Sequence, residues 1–123
     1  MDTTETAETT DRCFAGNEAA LLDRDEVAVA DRYAVPALVL FPGRAIAVGD
    51  RTQTEQFFAS AWDQYDGVTS AEREVTVLAA SDDAIWADVR WTYPNAEGER
   101  FCYQLARTGE VWQVAVLTPL PLD

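Results

Sequence analysis

Histidine and lysine are both absent from this sequence of 123 residues. Without histidine, the chain has neither the Ser-His-Asp nor the Cys-His arrangement that activates a nucleophile, and it lacks the imidazole ligands of a histidine zinc site. Any acid-base chemistry must therefore use carboxylates, tyrosine or cysteine. The sequence also lacks a glycine-rich phosphate loop and a group of residues at metal-ligand spacing, so we expect no metal ion and no other cofactor.

Positive charge is scarce as well. The nine basic residues are all arginine, and they stand against 22 acidic residues, which gives a formal net charge of −13. A surface this negative repels phosphate groups. We therefore expect neither nucleic acid nor an anionic membrane as a partner.

Cysteine is scarce and long apolar runs are absent. Cys13 and Cys102 lie too far apart for a CxxC motif, and we expect two free thiols in a reducing compartment. No apolar run reaches the roughly 20 residues that a membrane span requires. The first residues, MDTTETAETTDR, are polar and acidic, unlike a secretory signal. The sequence therefore predicts a cytoplasmic protein.

The N-terminal third carries helical patterns. Residues 1–9 have little to bury and predict a flexible acidic tail, which leaves residues 10–123 as a single domain. Residues 11–23 place apolar side chains on one stripe, which predicts a first helix. The pattern resumes at Val27 and predicts a second, shorter helix that ends before Pro36, because proline disfavours helical geometry in the residue before it.

A third helix is predicted after a short hairpin. Two very short strands fit the β-branched residues on either side of Pro42 and Gly43. Thr52 and Glu55 then have the spacing of a capping box. Apolar residues follow at helical spacing: Phe58, Ala61, Trp62 and Tyr65.

The second half of the chain alternates in the manner of strands. Turn residues separate four predicted strands, at 72–80, 84–93, 99–107 and 111–118. Connections this short require antiparallel neighbours. The sequence therefore predicts an α+β fold, with three helices packed on one face of a curved antiparallel sheet.

This order of elements resembles a known superfamily. The segments that carry the resemblance are DRYAVPALVLFPGR, FFASAW and AIWADVRWTYPNAEGERFCYQLARTGEVWQVAV, within a match from about residue 10 to the C-terminus. They resemble the cone-shaped nuclear transport factor 2-like proteins, which include SnoaL-like polyketide cyclases, ketosteroid isomerase and limonene-type epoxide hydrolase. The resemblance implies a pocket between the concave sheet and the helices, filled by a small apolar organic ligand, and a homodimer formed through the sheet.

The strand AIWADVRWTY, residues 84–93, allows two orientations. Hydropathy favours turning Val89 and Trp91 toward the helices. The resemblance to the association domain of calcium/calmodulin-dependent kinase instead implies an inward Arg90, and strand alternation would then place Asp88 and Trp86 beside it. The last strand is apolar on both faces, which suits a second covered surface and leaves both orientations open.

The candidate site follows from the second orientation. Its catalytic residues would be Asp88 as a base, with Arg90 and a tyrosine hydroxyl from the second helix, Tyr33. Further ligand contacts would come from Trp86, Tyr103, Trp62 and Gln113. The resemblance implies cofactor-free isomerisation, cyclisation, dehydration or hydrolysis, without the histidine-based mechanisms of SnoaL-like enzymes or scytalone dehydratase. The alternative is a non-catalytic association or ligand-binding module.

Overall fold

The computed structural model describes residues 2–41 and 43–122. Three helices and six strands account for most of this part of the chain, together with a 3-10 turn at Trp62–Tyr65. The helices are α1 (Thr3–Leu22), α2 (Glu26–Ala30) and α3 (Arg51–Ala59). The strands are β1 (Tyr33–Phe41), β2 (Arg44–Val48), β3 (Glu72–Ala80), β4 (Ala84–Tyr93), β5 (Ala96–Thr108) and β6 (Val111–Pro119).

The strands form one curved sheet in the order β2-β1-β6-β5-β4-β3. Neighbouring strands are antiparallel except β1 and β6, which run parallel because the helical segment and the meander separate them in the chain. Helix α1 packs on one face of the sheet, which we call the inner face. There the Phe14 ring contacts Trp91 and Tyr103 edge to face. The predicted α+β class is confirmed.

Helix α1 begins earlier than predicted. Asp2 caps it by accepting a hydrogen bond from the backbone N–H of Glu5 at 2.8 Å, so residues 3–9 are helical and not a tail. Thr6 and Thr10 are buried, and the Thr10 hydroxyl donates to the Thr6 carbonyl at 2.6 Å. A threonine can bury its methyl group while its hydroxyl bonds to the preceding helical turn, which a reading by polarity misses.

The other two helices are shorter than predicted. Helix α2 ends at Ala30, and Tyr33 opens β1 beside Val114 of β6, so Tyr33 is a strand residue. Helix α3 is capped by Asp50 with Gln53, and not by the predicted pair two residues later. It stops at Ala59, and the predicted stripe continues in the 3-10 turn.

The hairpins and the meander are close to their predicted positions. β3 and β4 have the predicted bounds, and β5 begins three residues earlier than predicted. Two strands also form around Gly43, but β1 has nine residues and is not very short as predicted. Pro42 lies outside the described residues. Cys13 and Cys102 are free thiols.

Candidate functional site

Strand β4 turns its apolar side toward α1. Val89, Trp91 and Tyr93 are buried on the inner face, whereas Trp86 is 36% exposed on the other side. The orientation that placed Trp86, Asp88 and Arg90 in the pocket is therefore wrong. Burial of two large aromatic side chains is worth several kcal/mol, and this outweighs anything a charged pair could contribute on the inner face.

Asp88 and Arg90 have partners on the outer face. Arg100 of β5 donates two hydrogen bonds to the Asp88 carboxylate, at 3.0 and 2.6 Å. These bonds lower the pKa of Asp88. Arg90 donates to the backbone carbonyl of Leu122. Both residues therefore serve contacts outside the pocket.

A cavity of about 220 Å³ lies between the inner face of the sheet and the helices. Its walls are mostly aromatic and include Tyr33 and Tyr103, both predicted as candidate site residues. Further rings come from α3 and the sheet: Phe41, Phe57, Phe58, Trp91 and Phe101. The Trp91 indole donates a hydrogen bond to the Tyr103 hydroxyl at 3.0 Å, which fixes both side chains.

Glu99 is the charged group of this cavity. Its Oε1 accepts hydrogen bonds from the hydroxyls of Tyr65, at 2.7 Å, and Tyr93, at 2.9 Å. Burial raises the pKa of both tyrosines, and the nearby Glu99 charge raises it further, so both hydroxyls keep their protons and remain donors. Within the described lining, Glu99 alone carries a formal charge.

A bulge in β5 directs Glu99 inward. Trp91 pairs with Glu99, but Tyr93 pairs with Ala96, so β5 contains one extra residue between these pairs. Gly98 lies in the bulge, and a Cβ there would come within 2.5 Å of the Trp91 carbonyl oxygen. A side chain at position 98 is therefore incompatible with this geometry. Glu99 faces the cavity because the extra residue shifts the alternation of β5.

Arg24 holds the segment that carries Tyr65. It has a left-handed backbone conformation, with φ of 53°, in the loop between α1 and α2. Its guanidinium donates to the carbonyls of Tyr65 and of Val68, the latter at 2.7 Å. These hydrogen bonds position one of the two tyrosine hydroxyls that donate to Glu99.

Two predicted ligand contacts lie elsewhere. The Trp62 indole donates to Glu26 at 3.3 Å and packs beside Phe58, outside the described lining of the cavity. The Gln113 amide donates to the carbonyl of Asp31 at 3.0 Å. Across residues 2–41 and 43–122, the structure has no group of three metal-ligating side chains.

Comparison with known proteins supports the fold. A family model described as NTF2-like protein (DUF6841) matches residues 10–121. An NTF-2 like protein of unknown function from Shewanella oneidensis superimposes with a TM-score of 0.76 at 12% identity, over 93% of this chain and 98% of that one. A cystatin-like domain of unknown function from Nostoc punctiforme gives a TM-score of 0.69 at 19% identity, over 98% and 82%.

A third similar structure, from Xanthomonas campestris, is named for the association domain of calcium/calmodulin-dependent protein kinase II. It gives a TM-score of 0.65 at 19% identity, over 100% of this chain and 91% of that one. Identities this low establish a shared fold and nothing more. No curated protein matches the chain. Among the described residues, no helix is both long and apolar enough to span a membrane.

Proposed function

The chain belongs to a family of NTF2-like proteins, and we propose that it binds a small, largely apolar organic molecule in the cavity beside Glu99. The observation that carries the proposal is a carboxylate held by two tyrosine hydroxyls in an aromatic wall. Ligand pockets combine apolar walls with a few well-placed polar groups. The volume, about 220 Å³, is below the roughly 300 Å³ at which sites for drug-sized ligands begin, so the ligand is small.

The position of Glu99 also argues for a role beyond stability. The Glu99 carboxylate is partly buried, and both of its hydrogen-bond donors are neutral hydroxyls, which do not compensate its charge. The partly buried carboxylate of Asp88, on the outer face, instead has a cationic partner in Arg100. We infer that Glu99 keeps its charge available for a ligand.

Any chemistry in this cavity would be proton transfer at Glu99. A carboxylate beside a bound carbon acid or alcohol can accept its proton and become neutral, and a tyrosine hydroxyl of the lining can stabilise the negative charge that develops on the ligand. This suits cofactor-free isomerisation, cyclisation, dehydration or hydrolysis. Glu99 takes the role first assigned to Asp88, while Tyr33 and Tyr103 remain proposed ligand contacts.

A screen of small apolar compounds by ligand-observed NMR tests the proposal. We expect binding to the wild-type protein and its loss in Ala61→Trp, because Ala61 lines the cavity and an indole there would fill it. Ala59→Trp is the matched control, since Ala59 is exposed at the end of α3 and outside the described lining. Equal binding by Ala61→Trp and the wild type would place the ligand elsewhere and contradict the proposal.

A second candidate function is association through the outer face of the sheet. Apolar side chains are exposed on and beside this face: Trp86 is 36% accessible, and Leu78, in a bulge of β3, is 59% accessible. Surface of this kind is typical of interaction sites. The similar structure named for a kinase association domain favours the same idea.

Sedimentation equilibrium tests this second candidate. We expect a homodimer that Trp86→Arg converts to a monomer, because a guanidinium replaces the exposed indole at the proposed contact. Val27→Arg is the control, since Val27 is 51% exposed on α2, away from the sheet. A wild-type protein that remains monomeric at all concentrations would rule out pairing through the sheet.

A further inference from the structure

The formal charge among the described lining residues of the cavity is negative only. Among its described lining residues, Glu99 is negative and no arginine contributes a guanidinium. The tyrosines stay neutral because burial raises their pKa. An anionic ligand would meet an uncompensated carboxylate there, and the whole chain, with its net charge of −13, would repel it over longer distances.

Two tyrosine rings lie beside Glu99 in edge contact with each other. The rings of Tyr65 and Tyr93 lie 6.0 Å apart at 87° to each other, and each donates its hydroxyl to the same carboxylate oxygen. The electron-rich face of an aromatic ring attracts a cation, and proteins use such faces to recognise ammonium groups. The carboxylate adds a full negative charge at the same corner.

The second oxygen of Glu99 is available to a ligand. Both tyrosines donate to Oε1, and within residues 2–41 and 43–122 no hydrogen bond reaches Oε2. A neutral apolar ligand would displace water from this oxygen without replacing its interactions. A ligand that carries its own positive charge would replace them.

We propose that the cavity selects an organic cation, a protonated amine or a quaternary ammonium attached to a compact apolar group. This inference rests on the proposed ligand-binding function of the cavity and names its ligand class. The ammonium would lie against Tyr65 and Tyr93 beside Oε2 of Glu99. The apolar remainder would occupy the aromatic part of the cavity toward Phe58 and Phe101.

Three probes of the same shape and different charge test the ligand class. Phenyltrimethylammonium is the cation, tert-butylbenzene is its neutral isostere, and benzenesulfonate is an anion of similar size. Binding is measured by isothermal titration calorimetry and by the indole N–H signal of Trp91 in a proton-nitrogen correlation spectrum. We expect the wild type to bind the cation about tenfold or more tightly than the neutral isostere, with no detectable binding of the anion.

Two variants of equal net charge separate the site from the general field of the protein. Glu99→Gln removes the carboxylate from the cavity, and Glu110→Gln removes an exposed one from the turn between β5 and β6. We expect Glu99→Gln to abolish the preference for the cation and Glu110→Gln to retain it. Equal loss in both variants would assign the preference to net charge and overturn the inference.

The remaining outcomes distinguish the two proposals. If the neutral isostere or the anion binds the wild type as tightly as the cation, the ligand class is wrong and the ligand-binding function stands. If no probe binds but the screen of apolar compounds finds ligands blocked by Ala61→Trp, the ligand class again fails alone. If neither experiment finds a ligand, both proposals fail.

Discussion

Each face of the sheet holds a carboxylate, and the two carboxylates have different hydrogen-bond partners. On the outer face, the guanidinium of Arg100 neutralises Asp88 through two hydrogen bonds. On the inner face, neutral hydroxyls orient Glu99 without cancelling its charge. The partner, more than the carboxylate itself, therefore decides whether the group is structural or available for binding.

The strongest test of the inner face is alkaline titration. All four tyrosines have raised pKa values, chiefly because of burial. Their contribution to stability is complete below the pKa of an unfolded tyrosine, about 10, and is lost as the pH rises further. We expect little tyrosinate absorbance until the protein unfolds, and then all of it together with the loss of near-ultraviolet circular dichroism. Gradual ionisation of two or more tyrosines near pH 10 in the folded protein would contradict the closed inner face.

The next largest effect should come from the bulge that directs Glu99 inward. Gly98→Val places a side chain against the Trp91 carbonyl oxygen, where even a Cβ would lie at 2.5 Å. We expect a loss of roughly 2–3 kcal/mol in the free energy of unfolding, measured by urea denaturation. Gly49→Ala is the control, because the nearest atom to a Cβ at Gly49 is 3.7 Å away, and it should change stability by no more than about 0.5 kcal/mol. Equal effects would show that the close approach at Gly98 is unimportant.

A smaller effect is expected on the outer face. Asp88→Asn removes the ion pair with Arg100 and should lower the free energy of unfolding by less than Gly98→Val does. It should leave ligand binding unchanged, whereas Glu99→Gln should weaken it. Calorimetric titration of both variants with one ligand makes this comparison. Weaker binding in Asp88→Asn would return Asp88 to the candidate site.

The smallest difference is the pH dependence of that ion pair. Because Arg100 lowers the pKa of Asp88, the pair stabilises the fold above the pKa of an unfolded aspartate, about 3.9. This stabilisation is lost as the pH falls through the lower value in the folded protein. Urea denaturation of the wild type and Asp88→Asn should therefore differ at pH 7 and converge in acid. A difference that persisted at low pH would exclude the ion pair as its origin.

The sequence predicts the sheet better than the site. Alternation and turn residues locate β3 and β4 at their observed bounds, because strand periodicity and turn chemistry are local properties. The helix ends were less accurate, since Thr6 and Thr10 are buried by packing that their polarity does not reveal. The sequence did not determine the orientation of β4, because this depends on which side of the strand α1 covers.

Glu99 could not be identified without the pairing of β4 with β5. Trp91 and Tyr93 are apolar and alternate as expected for an inner face, but the residue opposite Trp91 depends on a bulge. A regular hairpin closed at Tyr93 and Ala96 would put Gly98 there. The glycine in NAEGER was the one available signal, because an isolated glycine inside a strand pattern suggests a bulge.

The same bulge couples the length of the hairpin to the sign of charge in the cavity. If β5 paired with β4 from Ala96 onward without a bulge, Arg100 would lie opposite Val89 and face inward, and Glu99 would face outward. A relative with one residue fewer in this hairpin can direct the glutamate into the cavity without a glycine. A relative with a hairpin of equal length and a bulky residue in place of Gly98 should direct the arginine into the cavity instead. A single insertion or deletion in this hairpin could thus convert a cavity for cations into one for anions.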